Sequence, residues 1–350
     1  MLLMLIRGFW DDLKKPIIGM APMDGVTDAA FRHMICKYGK PSVIITEFTN
    51  VEGLAHGNVK GLISFLYTEI ERPIVAQIFG IDPESFYKAT VMLCAMGFDG
   101  VDINMGCPVR KVSEKGAGAG LIKNPILAKK IIKECKKAAK DWADGISLEK
   151  AGVRTVMIEA MAAMDNANKS SRKIIPISVK TRIGYDKIAA EEWAKHLLET
   201  EPANITMHGR TLKQLYLGQA NWDALANAAK ICKGSGVSFL GNGDVKSMED
   251  ARQKIKDYGV DGVLVGRAVC GNPWFFSEKE PTVKEKLKAA IEHCKYFAKL
   301  NHLSFCNIRK HLGWYCKGFD GAKELRVKLM RAENAQEVER EIKKIFTLRF

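Results

Sequence analysis

The sequence predicts an α/β chain in two parts: a closed (β/α)8 TIM barrel over residues 1–278, then a small helical domain over 279–350. Three observations carry the prediction. Eight short β-prone runs alternate with helix-forming stretches over about 250 residues, the span of one such barrel. Most of the strand ends run into polar or glycine-rich segments, which a barrel gathers on one face and an open sheet would scatter. After Trp274–Pro281 the alternation stops, and only helix-forming sequence follows.

Taken in order, Ile17–Ala21 is the first strand, stopped by Pro22-Met23, and Thr27-Asp28 caps a helix beginning at Ala29. Val43–Glu47 is the second strand and Ile74–Ile78 the third, introduced by Pro73. Pro83 opens a helix toward Met96. The fourth strand, Val101–Asn104, runs into Gly106, Cys107 and Pro108 and then Gly116, Gly118 and Gly120, which cannot continue it. Asn124-Pro125 starts the next helix, with asparagine as cap and proline in the first turn. Ile177–Thr181, Ala203–His208, Ser238–Gly241 and Gly262–Gly266 complete the eight, separated by helices at Glu191–Leu198, Trp222–Ile231 and Ser247–Tyr258.

The stretch Asp141–Pro176 does not parse as a βα unit. It reads as a surface insertion with an amphipathic helix at Arg154–Met164 and a polar stretch at Asn166–Lys173. Beyond Pro281, Thr282–Leu303, Asn307–Lys317, Ala322–Met330 and Ala335–Phe346 carry apolar residues at three and four spacing, so three or four helices are expected.

Composition narrows the class. With 47% apolar and 27% charged residues, the 350-residue chain is neither disordered nor fibrous. The apolar opening Met1–Ile6 is far shorter than the roughly 20 residues of a membrane span. Nine cysteines without a Cys-x-x-Cys pair suggest neither a disulfide framework nor a metal site, and point to a reducing cytoplasm. A monomer is expected. The net charge of +14 suggests a polyanionic partner, and the last 70 residues hold 16 Lys and Arg against 8 Asp and Glu.

Cys107 falls just past a strand end, where Pro108 fixes the backbone and glycines admit a ligand to the main chain. Most free cysteines are small buried hydrophobes, which need neither feature. Gly241-Asn242-Gly243-Asp244 after strand seven and Gly266-Arg267 after strand eight lie where barrels commonly bind phosphate. A phosphate-tailed cofactor held there lays its ring within reach of Gln77, Lys180 and Cys107, and flavin mononucleotide (FMN) fits. Gln77 would meet the ring's polar edge, Lys180 would stabilise negative charge on a reduced flavin, and Cys107, protonated at neutral pH, would act as general acid.

Ala21-Pro-Met-Asp-Gly-Val-Thr-Asp28, Asp102-Ile-Asn-Met-Gly-Cys-Pro108, Val179-Lys-Thr-Arg182, Met207-His-Gly-Arg-Thr211, Gly241-Asn-Gly-Asp244 and Val265-Gly-Arg267 together resemble the tRNA-dihydrouridine synthases, particularly their bacterial DusB-like branch. The resemblance implies flavin-dependent reduction of the 5,6 double bond of particular uridines in tRNA, with NADPH or NADH as reductant. It implies Cys107 as proton donor and Pro22, Met23, Asp24, Gln77, Lys180, His208, Asn242, Gly243, Asp244, Gly266 and Arg267 as FMN-binding residues. Asn104 and Arg210 match positions near the bound uracil. In the helical tail, Arg309 and Lys310 beside Trp314-Tyr315 resemble the family's tRNA-binding domain; no metal is implied.

Two other readings use the same residues. An FMN barrel acting on a free pyrimidine, of dihydroorotate or dihydropyrimidine dehydrogenase type, would share the half-site without needing a basic tail. An RNA-binding protein that has lost turnover would have no use for an intact Cys107 and Lys180.

Overall fold

A parallel strand covered on both faces needs apolar side chains at successive positions, and the eight predicted runs supply them. In the computed structural model, which describes residues 7–164 and 172–349, they form β1 (Ile17–Met20), β2 (Ile44–Asn50), β3 (Ile74–Phe79), β4 (Gly100–Met105), β5 (Ile177–Arg182), β6 (Asn204–His208), β7 (Ser238–Asn242) and β8 (Gly262–Val265). Each strand pairs in parallel with the next, and β8 pairs with β1 to close the barrel. The predicted opening Met1–Ile6 and most of the polar stretch at 166–173 lie outside the described residues.

The predicted caps at Asp28 and Asn124 are in place, and Ser247, expected as a first helical residue, is a cap as well. Asp28 accepts from the Phe31 amide at 2.8 Å, Asn124 from Leu127 at 3.1 Å and Ser247 from Asp250 at 3.0 Å, each meeting an amide that the first helical turn leaves unpaired. Proline occupies the first turn of the helices Pro83–Ala95 and Pro125–Ala143.

The second βα unit departs from the rhythm. After β2 comes a helix of five residues, Val51–Ala55, and a 3-10 turn, Val59–Phe65, in place of a full-length helix. The helix Thr155–Ala162, inside the stretch expected as a surface insertion, packs against that turn. Met157 and Met161, one turn apart, are buried in the main core with Ala151 and Val153, and Arg154 Nη1 donates to the His56 carbonyl at 2.6 Å. The segment therefore completes the outer layer instead of lying loosely on it.

The helical domain comprises Val283–Leu300, Arg309–Tyr315, Ala322–Leu329 and Ala335–Arg349. Its core includes Leu287, Cys294, Leu312 and Tyr315 and continues into the barrel through Ala30 and Met34. The helix Ala29–Tyr38 has one face for each body: Phe31 and Ile35 join the barrel core, Ala30 and Met34 the helical domain. Lys37 and Tyr38 both bond Glu292 across the seam. The helical domain thus sits beside the loop that follows β1.

Candidate active site

The C-terminal strand ends enclose a cleft of about 1800 Å³. Pro22, Met23 and Asp24 line it after β1, Asn104 and Cys107 after β4, and Lys180 from β5. His208 and Arg210 line it after β6, Asn242, Gly243 and Asp244 after β7, and Gly266 and Arg267 after β8. Three predicted residues stand elsewhere. Gln77 is fully buried, one hydrogen bond from the cleft-lining Asn104. Arg309 turns into the helical domain, where its Nε donates to the Ala332 carbonyl at 2.9 Å. Lys310 donates to the Gly25 carbonyl and so ties the helical domain to the loop carrying Asp24.

The loop carrying Cys107 is held from several sides. The Gly106 and Cys107 amides donate to Asn104 Oδ1 at 3.0 and 2.8 Å, and the Ala119 amide donates to the Cys107 carbonyl at 3.2 Å. Gly118, at φ +55°, packs so close that a Cβ there would stand 3.0 Å from the Cys107 Cβ. Arg182 Nε donates to the Gly106 carbonyl at 2.7 Å, while its Nη1 reaches the carbonyls of Thr211 at 3.1 Å and Leu215 at 3.3 Å. One guanidinium thereby joins the lips after β4 and β6. Asn104 Nδ2 donates to Gln77 Oε1 at 2.9 Å, so both ends of its amide bond protein groups.

The opposite side carries charge. Asp244, in the left-handed region at φ +52°, accepts from Arg210 Nη2 at 2.7 Å, Arg267 Nη2 at 3.0 Å and the Ala220 amide at 2.8 Å. Burial works to raise its pKa, but the Ala220 amide and the two guanidiniums hold it below the usual carboxylate range. Arg210 also donates to the Leu217 and Gly218 carbonyls, at 3.3 and 2.6 Å. Gly243 has φ +125°, and a side chain there would meet Ala220 at 2.7 Å and the His208 ring at 3.1 Å.

Four cations around one cleft repel protons from one another's neighbours. Burial, then the charges of Lys180, Arg182, Arg210 and Arg267, drive His208 down to about 2, so its ring is neutral. Burial and Arg182 lower Lys180 to about 8, against the pull of Asp102 and Cys107; its Nζ donates to Asn242 Oδ1 at 3.3 Å. Burial pushes the Cys107 thiol up, the Val109 amide opposes it, and the charge on Asp24 adds to the rise. Cys107 is therefore a thiol at neutral pH, placed to donate a proton.

The sequence profile of dihydrouridine synthases (Dus) matches residues 19–143 and 153–349. The chain belongs to this family. A Staphylococcus aureus (strain MRSA252) protein named as a probable tRNA-dihydrouridine synthase is 35% identical over 345 residues, covering 95% of this chain and 93% of that protein. A Bacillus subtilis (strain 168) protein named as a probable tRNA-dihydrouridine synthase 2 is 33% identical over 347 residues, covering 95% of each. Morphinone reductase in complex with tetrahydroNAD, a solved structure, aligns over 78% of this chain and 90% of its own at 13% identity and a TM-score of 0.44.

In this dihydrouridine synthase Arg182 and Asp102 also serve the site, through the Gly106 carbonyl and the Gln77 amide. Both had a signal: Lys180-Thr-Arg182 and Asp102-Ile-Asn104 place charged or polar groups two apart on a strand, hence on one face. No group of His, Cys, Asp and Glu among the described residues has the arrangement of a metal site.

Proposed function

We propose that this chain reduces the 5,6 double bond of particular uridines in tRNA, with FMN as its bound cofactor and NADPH or NADH as the reductant. The observation that carries this reading is Cys107, a protonated thiol fixed at the mouth of a cationic cleft, in a chain of the dihydrouridine synthase family.

The residues fit an anionic, phosphate-bearing flavin. Arg267 is 66% exposed beside the Gly243-Asp244 turn and can reach a phosphate, while the backbone at Gly243 leaves no room for a side chain. Lys180 loses stability as a buried cation, and a partner that gains negative charge nearby would restore it. Pro22 and Met23 line the same cleft, and Gln77 bonds its residue Asn104.

When bound, the flavin supplies a hydride to one carbon of the uracil double bond. Cys107 holds the proton for the neighbouring carbon, so the product gains two hydrogens and the thiol leaves as thiolate, to be reprotonated from water. Lys180 stabilises negative charge developing nearby, and neutral His208 offers a hydrogen bond without adding a fifth cation. A uridine must leave its stack to reach this depth, and phosphate contacts from the basic helical domain supply affinity for the rest of the tRNA. Nine free cysteines suit a reducing cytoplasm.

The test is to incubate the protein, FMN and NADPH with unmodified tRNA, digest it, and map by mass which uridine gained two hydrogens. A site-specific gain supports the reading. No gain in tRNA, with flavin turnover on orotate or free pyrimidine, would replace it with a small-molecule dehydrogenase.

A further inference from the structure

Beneath the cleft, polar groups from three neighbouring strands form one unbroken line. Gln77, Asp102 and Ser178 stand side by side in the register of β3, β4 and β5, and all three are sealed from solvent. Ser178 Oγ donates to Asp102 Oδ1 at 2.7 Å, and Gln77 Nε2 donates to Asp102 Oδ2 at 2.7 Å. Gln77 Oε1 accepts from Asn104 Nδ2 at 2.9 Å, and Asn104 Oδ1 accepts the amides of Gly106 and Cys107.

Such a line has a direction. An ionised carboxylate only accepts, whereas a carboxamide has one donating and one accepting end. With Asp102 as acceptor, Gln77 must turn its NH2 toward it and its oxygen toward Asn104. Asn104 must then turn its own NH2 inward and its oxygen toward the Cys107 loop. Reversing either amide sets donor against donor or acceptor against acceptor among buried groups, where an unmet polar group is costly.

We propose that Asp102 is a positioning residue that fixes, through the amides of Gln77 and Asn104, the loop presenting Cys107. The inference rests on Cys107 being the proton donor; Asp102 itself lies a full relay away from the reacting atoms. A purely structural role would move stability alone, whereas a positioning residue also moves the reactivity of Cys107 in the folded protein, because Asn104 holds the Gly106 and Cys107 amides.

Direction can be swapped. Asn104→Asp still accepts the two loop amides, but its second oxygen forces Gln77 to turn, which sets Gln77 Oε1 against the Asp102 carboxylate. Adding Asp102→Asn supplies a donor there and restores every contact with one buried carboxylate, now at the other end. A second pair repeats the logic: Gln77→Glu faces Asp102 as a second carboxylate, and Asp102→Asn repairs it.

Two readouts serve: the rate at which tRNA reoxidises the reduced flavoenzyme, and peptide-resolved alkylation of Cys107 by iodoacetamide, which needs no tRNA. Asn104→Asp and Gln77→Glu should each slow reoxidation about tenfold and shift alkylation, as expected for one unmet buried hydrogen bond. Either double variant should recover both rates several-fold over its own single-variant parent, since its hydrogen bonds are complete again. If both double variants are no better than their parents, or if the single variants match wild type, the relay is wrong. If wild type makes no dihydrouridine, the functional reading fails separately, and alkylation still decides the relay.

Discussion

Within β3, β4 and β5, Gln77, Asp102 and Ser178 are closed off from solvent and joined by hydrogen bonds of 2.7 Å. Where β6, β7 and β8 end, Asp244 and Arg267 pair in reach of water, at 24% and 66% exposure. On the first side each group is bonded to the next, so a change at one is passed to its neighbour. The second is screened and adaptable, and its guanidiniums stay available to an anion. Proton delivery needs the first kind of construction, and holding a phosphate tolerates the second.

The largest effect should break the sealed side alone. Cys107→Ala should slow reoxidation of the reduced flavin by tRNA by about a thousandfold, the scale of a lost general acid, with tRNA affinity in filter binding unchanged. Next is the strut between the sides. Arg182→Met strands the carbonyls of Gly106, Thr211 and Leu215 and should slow the same step on the order of tenfold to a hundredfold. Arg182→Lys should recover little, because an ammonium lacks the fork.

Asp102 makes a smaller prediction whose sign depends on pH. Burial raises it from 3.8 to about 6, so the folded chain keeps this proton to higher pH than the unfolded chain does. The stability that this difference contributes is fully present below the unfolded value and is lost as pH rises through about 6. Asp102→Asn should therefore match wild type near pH 4 and exceed it at pH 7 by on the order of 1–3 kcal/mol in denaturant melts, while turning over more slowly. The smallest effect on folding belongs to the open side: Arg267→Ala should leave the melting temperature within error and weaken FMN retention about tenfold in dialysis, since exposed pairs add little stability.

The sequence made the barrel legible because its signals are local. Ile17–Met20 and Ile74–Phe79 are short apolar runs, and Asp28, Asn124 and Ser247 announce helix starts within four residues. The cleft residues from β1, β4, β7 and β8 were legible for the same reason: glycine and proline mark where a strand must stop. What depends on distant partners was not. Nothing beside Met157 says that it fills the place of a helix missing after β2, a hundred residues earlier in the chain. Strand alternation likewise cannot say that Asp102 and Asn104 on β4 bond both ends of the Gln77 amide. Nor does sequence show which carbonyls Arg309 and Lys310 reach, since Ala332 and Gly25 lie 23 and 285 residues away.

One paired measurement bears most directly on the division between the two sides: flavin retention and the rapid-mixing rate of flavin reoxidation by tRNA, for Cys107→Ala and Arg267→Ala together. Cys107→Ala should keep its flavin and lose the rate; Arg267→Ala should lose flavin affinity and, at saturating FMN, keep the rate. If either variant loses both in equal measure, the two sides of the cleft do not divide the work.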